Sequence, residues 1–401
     1  MSVLIAHPTR QHSHRLAAAL ESAGLLHSYW TLLPDRRALS WFAARLDSLL
    51  PSAVSRHSLE FLSRDKVHAF PGPLLFQKLA SRFSSVALRQ LGEWVAWVVF
   101  DRWVAARLPR LRPRVVVGYE MCCLDIFRAA KESGITCVLD AAAFHYAMQD
   151  RILHEDRNGA STWAGKQLRL RKWNEIELAD RIICVSELAR QSYIDAGIEP
   201  ARIVVNPVGC DVAKFAALHG LAARSGPPKF IFVGIPAYHK GFDLLVGSYK
   251  RLLADYPDAE LHVVGDAAMA RKVASSLRIK IHDKMSHDQL SRLLAVMDCL
   301  VLPSRLESFG MVVVEALAAG APVIVSDHAG ASKAIRENEN GWVVSAGNET
   351  ALLERLRACC RDIDRVRMMS SACTRSASEH DWSHYSKRAI AIFAPLASGH
   401  A

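Results

Sequence analysis

Short apolar runs of four to six residues alternate with stretches of helical period along most of this chain. Residues 2–6 predict a buried strand, and residues 15–23 predict a helix that Gly24 can end. Residues 40–110 read mostly as helix, interrupted at Pro51 and at Pro71-Gly72-Pro73. From residue 114 the alternation is regular, with strands at 114–118, 136–139, 181–185 and 203–206 and helices at 123–133, 165–179 and 187–196. A polar, Gly/Pro-rich stretch at 223–228 breaks the series, which then restarts. Strands follow at 230–234, 260–265, 278–281, 299–302, 322–326 and 341–344. Helices at 242–254, 267–276, 287–296, 309–319, 330–336 and 349–361 separate them, and a last helix spans 381–396. Continuous apolar runs between helices signal parallel strands covered on both faces. The pattern predicts two doubly wound α/β domains, 1–215 and 216–380, facing a cleft where ligands meet the strand carboxyl ends.

Composition narrows the choice of function. The 401 residues are 22% charged with 51% hydrophobic positions, which argues against extensive disorder. No apolar run reaches the roughly 18–20 residues of a membrane span. The first eight residues are apolar too briefly, and lack the basic flank, for a secretory signal. Nine Cys without CxxC spacing, two pairs of them adjacent, predict reduced thiols and a cytoplasmic protein.

The net charge of +10 is uneven: residues 1–215 hold 28 basic and 21 acidic side chains, the remainder 22 and 19. A basic first half suits an anionic membrane surface or a phosphorylated acceptor. Nucleic acid is not expected, because no recognised motif accompanies the charge. Residues 91–108 carry Trp94, Trp97, Arg102 and Trp103 and admit two readings: a core helix packed on a sheet, or a surface helix dipping into a membrane interface.

The chemistry concentrates at 302–326. A strand ends at Leu302, a loop carries Glu307, and a helix begins near Phe309. The free N–H groups of Ser308, Phe309, Gly310 and Met311 then face whatever precedes the helix, and such an end attracts phosphate. Glu315 stands about two turns further on. Two carboxylates beside an anion site suit acceptance of hydrogen bonds from sugar and ribose hydroxyls.

The whole string resembles the donor-binding signature of retaining glycosyltransferases of family 4. It reads Pro303-Ser304, Glu307-Ser308-Phe309-Gly310, Glu315-Ala316-Leu317-Ala318-Ala319-Gly320 and Pro322-Val323, with Glu-x7-Glu spacing. Residues 180–186, 203–211 with Phe215, 232–234, Lys240-Gly241 and Asp381-Trp382 are also similar to that family. The resemblance implies a GT-B fold: two Rossmann-like domains, with helix 381–401 crossing back to the first.

It further implies that Glu307 contacts the transferred sugar, that the amides of Ser308–Met311 bind sugar and diphosphate, and that Glu315 holds the ribose. Lys240 would neutralise the departing diphosphate, with Gly234 in the same loop and the backbone at Met285 beside the base. The expected donor is a UDP- or GDP-sugar, with no metal and no further cofactor. The expected acceptor is a glycan or lipid-linked hydroxyl at the inner face of the plasma membrane. A sugar-nucleotide epimerase and a non-catalytic scaffold of the same fold are the alternatives.

One position departs from the family. An Arg usually follows the glycine, five residues before the Lys, and here Ile235 stands there. His239 and Arg305 are the candidate substitutes. In the first domain, His145 follows a strand where the family often has a His facing the donor sugar. The loop at His7, Arg10 and His12 lacks the family's Gly-Gly and offers acceptor-side contacts instead, as does Glu120 after residues 115–117. Asp150, Arg151, His154 and Glu155 form a polar run that either lines the acceptor side or is surface.

Overall fold

Two all-parallel sheets organise the computed structural model, which describes residues 2–9, 11–33, 62–83, 85–152, 162–217, 224–274 and 279–399. The first has seven strands: β1 (Val3–Ala6), β2 (Leu26–Thr31), β3 (Val67–Ala69), β4 (Val115–Tyr119), β5 (Thr136–Ala141), β6 (Arg181–Cys184) and β7 (Ile203–Val205). They are ordered β3-β2-β1-β4-β5-β6-β7. The second comprises β8 (Lys229–Gly234), β9 (Glu260–Gly265), β10 (Ile279–Asp283), β11 (Cys299–Leu302), β12 (Val323–Ser326) and β13 (Gly341–Val344), ordered β10-β9-β8-β11-β12-β13. Strand order reverses between β1 and β4 and again between β8 and β11. Those are the switch points at which such sheets open a crevice.

Seven helices matter most below, and the first three are α1 (Ser13–Ser22), α2 (Gly72–Ser81) and α3 (Val86–Ala105). They are followed by α4 (Leu124–Glu132) and α5 (Trp163–Leu178). The second half adds α6 (Met311–Ala318), and the chain closes with α7 (Trp382–Ser398).

Two strands, β2 and β3, stand where no strand is expected from the sequence. β2 reads Leu-His-Ser-Tyr-Trp-Thr, and its polar positions disguise a buried strand. Ser28 accepts from the Trp30 indole at 2.9 Å, and Tyr29 OH meets Ser13 Oγ at 2.9 Å, so the fold satisfies what the pattern counts as polar. β3 is a three-residue edge inside the stretch read as helix. Residues 34–61, including the expected break at Pro51, lie outside the described residues. The expected helix at 330–336 is a 3₁₀ turn, Gly330–Ala334, and two helices at Ile363–Met368 and Ser370–Ser378 follow the second sheet without having been expected.

α3 answers the two readings of residues 91–108. Trp97, Phe100 and Val104 are buried in the core, and the helix packs on α4 and α5. Asp101 is fully buried: its carboxylate pairs with Arg171 and accepts the Asp125 and Ile126 N–H groups at 2.8 Å each, holding the first turn of α4. Of the side chains on which the membrane reading rested, Trp97 is buried, Trp94 and Trp103 are half-buried and Arg102 is exposed, so the helix packs into the core along one side and meets solvent along the other. No helix among the described residues is long and apolar enough to cross a membrane.

α7 returns to the first sheet's domain. It packs on α1, and Arg388 donates to Asn206 Oδ1 at 3.1 Å and to the Pro207 carbonyl at 2.9 Å. The crossing is tight at Gly209, where a Cβ would stand 2.7 Å from Trp382 Cα.

Candidate active site in the cleft

The second sheet's switch point assembles the densest chemistry. Beyond β11 the chain turns through Gly310, at φ 94°, into α6. A side chain there would meet Glu307 Cγ at 3.2 Å and Leu302 Cδ2 at 3.3 Å in a conformation that L-residues avoid. The loop's carbonyls are tied backwards. Glu307 O accepts from Gly330 N at 2.9 Å, Phe309 O from Ala331 N at 2.7 Å, and Ser308 O from Ser186 Oγ at 2.6 Å. The N–H groups of Ser308, Phe309, Gly310 and Met311 bond to nothing among the described residues, so all four remain for a ligand. Ser186 comes from the first domain, and Gly330 lets the two meet: its Cβ would lie 2.2 Å from Ser308 O and 2.6 Å from Ser186 Cβ.

Lys240 arrives from the neighbouring strand's loop. It ends the 3₁₀ turn Tyr238–Lys240 after β8, and its ammonium pairs with the Glu307 carboxylate. Gly241 makes this possible, because a Cβ there would sit 2.0 Å from the Pro303 carbonyl oxygen. The expected neighbours Glu307, Lys240 and Ser308–Met311 therefore share one place.

Arg305 is engaged differently from the expectation. Its guanidinium stacks on Tyr238 at 3.8 Å, donates to the Tyr238 carbonyl at 2.7 Å and forks onto both Asp243 oxygens at 2.7 Å. That bidentate pairing binds one loop to the other and commits the cation that was to replace an Arg at position 235. His239 contributes its carbonyl, which accepts from Arg305 N at 2.8 Å and Leu306 N at 3.1 Å. Ile235 itself points outward, 57% exposed, just after Gly234. Gly234 abuts β9 so closely that a Cβ on Gly265 would stand 2.0 Å from the Gly234 oxygen.

Glu315 lies on the inner side of α6, 6% exposed, and its carboxylate makes no hydrogen bond to a described residue. Burial, and then the negative charge of Asp211, push its pKa from 4.5 up to about 7. Met285 sits half-buried just before the helix His287–Ala295, and no described contact joins it to the Glu307–Lys240 pair.

Across the cleft, His145 and Glu120 belong to one cluster. Burial, and then nearby Lys172, lower His145 to about 4, so the ring is neutral. Its Nδ1 accepts from Ala147 N at 3.3 Å, which leaves the proton on Nε2. Ser192 Oγ accepts the His145 N–H at 2.9 Å, and the Tyr193 ring packs edge-on at 5.2 Å. Glu120 accepts from Tyr193 OH at 2.8 Å and pairs with Lys172 at 2.9 Å. The loop behind Glu120 is held by buried Glu175, which accepts the N–H groups of Met121 at 2.6 Å and Cys123 at 2.9 Å. Sequence reasoning missed Lys172, Tyr193 and Glu175, because helix positions 172, 175 and 193 carry no signal of inward charge.

At the first sheet's own switch point, His7 and His12 flank the ring of Tyr119 at 4.5 Å and 5.7 Å. His12 Nε2 lies 2.9 Å from both oxygens of Asp140, which is 128 residues away and was assigned no role from the sequence. His7 is buried and lowered to about 4, chiefly by desolvation, with Nδ1 turned to Thr9. Arg10, His154 and Glu155 lie outside the described residues. Asp150 pairs with Arg169 instead of standing open, and Arg151 is exposed.

Over nearly its whole length the chain superposes on Anabaena HepE in complex with UDP-glucose, at TM-score 0.64 and 15% identity, covering 98% of this chain and 99% of that one. The fold is GT-B. Within this GT-B chain, residues 218–375 match the family model described as glycosyl transferases group 1. A D-inositol 3-phosphate glycosyltransferase of Nocardia farcinica is 32% identical over 228 residues, 51% of this chain and 50% of that protein. A glycogen synthase of Mycobacterium tuberculosis is 30% identical over 194 residues, 45% and 46% of the two. The chain thus spans about half the length of the curated relatives it matches. The family match falls on the half holding Lys240, Glu307 and Glu315.

Proposed function

We propose that this protein is a glycosyltransferase that moves a sugar from a nucleotide-diphosphate sugar to a hydroxyl acceptor. The Lys240–Glu307 pair beside the four open N–H groups of Ser308–Met311 carries this reading. A diphosphate settles on those amides and on Lys240, which leaves the Glu307 carboxylate for hydroxyls of the sugar. In this reading Glu315 holds the ribose. The uridine donor is favoured over guanosine, by analogy with the UDP-glucose complex of HepE.

The reaction we infer is metal-independent and retaining. The bond from the anomeric carbon to the phosphate oxygen breaks, the acceptor oxygen bonds on the same face, and its proton passes to the leaving diphosphate. Charge that grows on that diphosphate is stabilised by Lys240 and the α6 amides, and such preorganised donors are commonly worth about 10²–10³ in rate each. Neutral His145, with Nε2–H as donor, suits a hydroxyl of the transferred sugar. The basic first half favours an acceptor in cell-surface polysaccharide or glycolipid assembly, at the inner face of the plasma membrane.

A second reading rests on Ile235 and Arg305. With one cation absent and the other bound to Asp243, the protein is a non-catalytic GT-B scaffold. Titration with UDP, GDP and their sugars in EDTA, followed by donor-hydrolysis assays, separates the two. The transferase reading expects binding of one nucleotide, UDP release with acceptor present, and a loss of about a hundredfold or more in kcat for Lys240→Ala. Weak or absent nucleotide binding without turnover supports the scaffold, and tight binding with turnover overturns it.

A further inference from the structure

Of the large apolar side chains that stay exposed among the described residues, most cluster on one end of the first domain. On α2 these are Phe76, Leu79 and Phe83, the last just past the helix and 59% exposed, at i, i+3 and i+7 spacing that sets them on one face. The adjoining start of α3 exposes Leu88 and Leu91. α5 shows Trp163, 57% exposed, with Leu170 and Trp173 along the same helix. The three helices form one surface. Ala80 of α2 fills the space over Gly92 of α3, where a Cβ would lie 2.5 Å away, and the rings of Trp94 and Trp163 join α3 to α5 at 4.9 Å.

Positive charge dominates this surface, although Arg169 is paired to the carboxylate of Asp150. Residues 72–92 and 163–173 contain no Asp or Glu, while Arg82, Arg89, Lys166 and Arg169 stand exposed among the apolar side chains. A soluble monomer rarely leaves so much apolar area open. Aromatic and aliphatic side chains interleaved with cations match the headgroup–acyl boundary of an anionic bilayer. Orientation agrees: α5 runs into β6 through a two-residue connection, so its first turn stands at the carboxyl edge of the sheet, where the cleft opens.

We propose that this face, α2 with the first turns of α3 and α5, docks the protein on an anionic lipid surface. Docking there turns the cleft mouth to the membrane, and it stands apart from the glycosyl-transfer reading because lipid binding needs neither donor nor acceptor. The experiment is co-sedimentation of the full chain with vesicles of phosphatidylcholine alone and of phosphatidylcholine with phosphatidylglycerol, alongside gel filtration without lipid.

The wild type is expected to pellet with the anionic vesicles and to be released as salt rises. Phe76→Ser with Leu79→Ser and Phe83→Ser should weaken partitioning at least tenfold, with an unchanged circular-dichroism melt. Arg82→Glu with Lys166→Glu removes no apolar contact and should weaken it severalfold, so the test survives poor folding of the first variant. Wild type left in the supernatant with both vesicles, or both variants pelleting like wild type, overturns the proposal. A wild-type dimer that the apolar variant splits into monomers also overturns it, because the face then joins two copies of this chain.

Discussion

Glu315 shows at the residue scale how a ligand-ready site costs stability. In the fold its carboxyl keeps a proton to about pH 7, whereas in the unfolded chain it ionises near 4.5. Below the lower value both states are protonated and no difference arises. Between the two the unfolded chain ionises first, so stability falls as pH rises, reaching a constant deficit of about 3 kcal/mol above pH 7. Glu315→Gln should therefore unfold at higher temperature than wild type at pH 8 and at nearly the same temperature at pH 4. Calorimetry at the two pH values checks this, and an equal difference at both would refute the assigned burial. The same substitution should weaken nucleotide binding if the carboxylate receives ribose. Ile235 makes the opposite experiment. Its exposed side chain leaves room for Ile235→Arg, expected to tighten binding of the diphosphate by several-fold in isothermal titration while UMP binding stays unchanged.

Among elements, legibility followed how far each one's environment repeats its local pattern. β9, β11, β13 and the helix Glu349–Arg361 have the bounds that the apolar runs imply, because continuous burial on both faces leaves an unbroken signature. β2 hid because Ser28, Tyr29 and Thr31 find partners only in the folded state. Gly330 hid the 3₁₀ turn similarly, since the reason for glycine lies at Ser308 and Ser186, far along the chain. Gly330→Ala should push the Ser186–Ser308 contact apart and destabilise by about 1–3 kcal/mol. A urea melt reads the loss, and a parallel loss of donor affinity is expected because the Ser308 carbonyl is then released and the neighbouring amides turn.

For the whole molecule, the return of α7 is the decisive connection. The backbone β-bridge between Cys210 and Asp381, the Arg388 contacts and the close seat of Trp382 on Gly209 fasten the last helix to the first domain after the chain has built the second. Gly209→Ala should strain that crossing by about 1–3 kcal/mol and raise the protease sensitivity of residues beyond 381, read by limited proteolysis. Wild-type resistance of the alanine variant would show the crossing to be looser than its geometry.

Local order along the chain was enough to set Glu307, the four following amides and the glycine turn side by side, since sequence neighbours at a strand–loop–helix junction have few ways to be arranged. Lys240 meets Glu307 from 67 residues away only because β8 and β11 are adjacent at the point where strand order reverses. The same holds for His12 with Asp140, for the Lys172–Glu120–Tyr193 group beside His145, and for the capture of Arg305 by Asp243. Helical period gave α3 its helix, but which of its tryptophans face the core depends on α4 and α5 packing over it. Apolar side chains seek burial without direction, whereas charges and hydrogen bonds demand partners at set distances, and those distances exist only once the sheets are assembled.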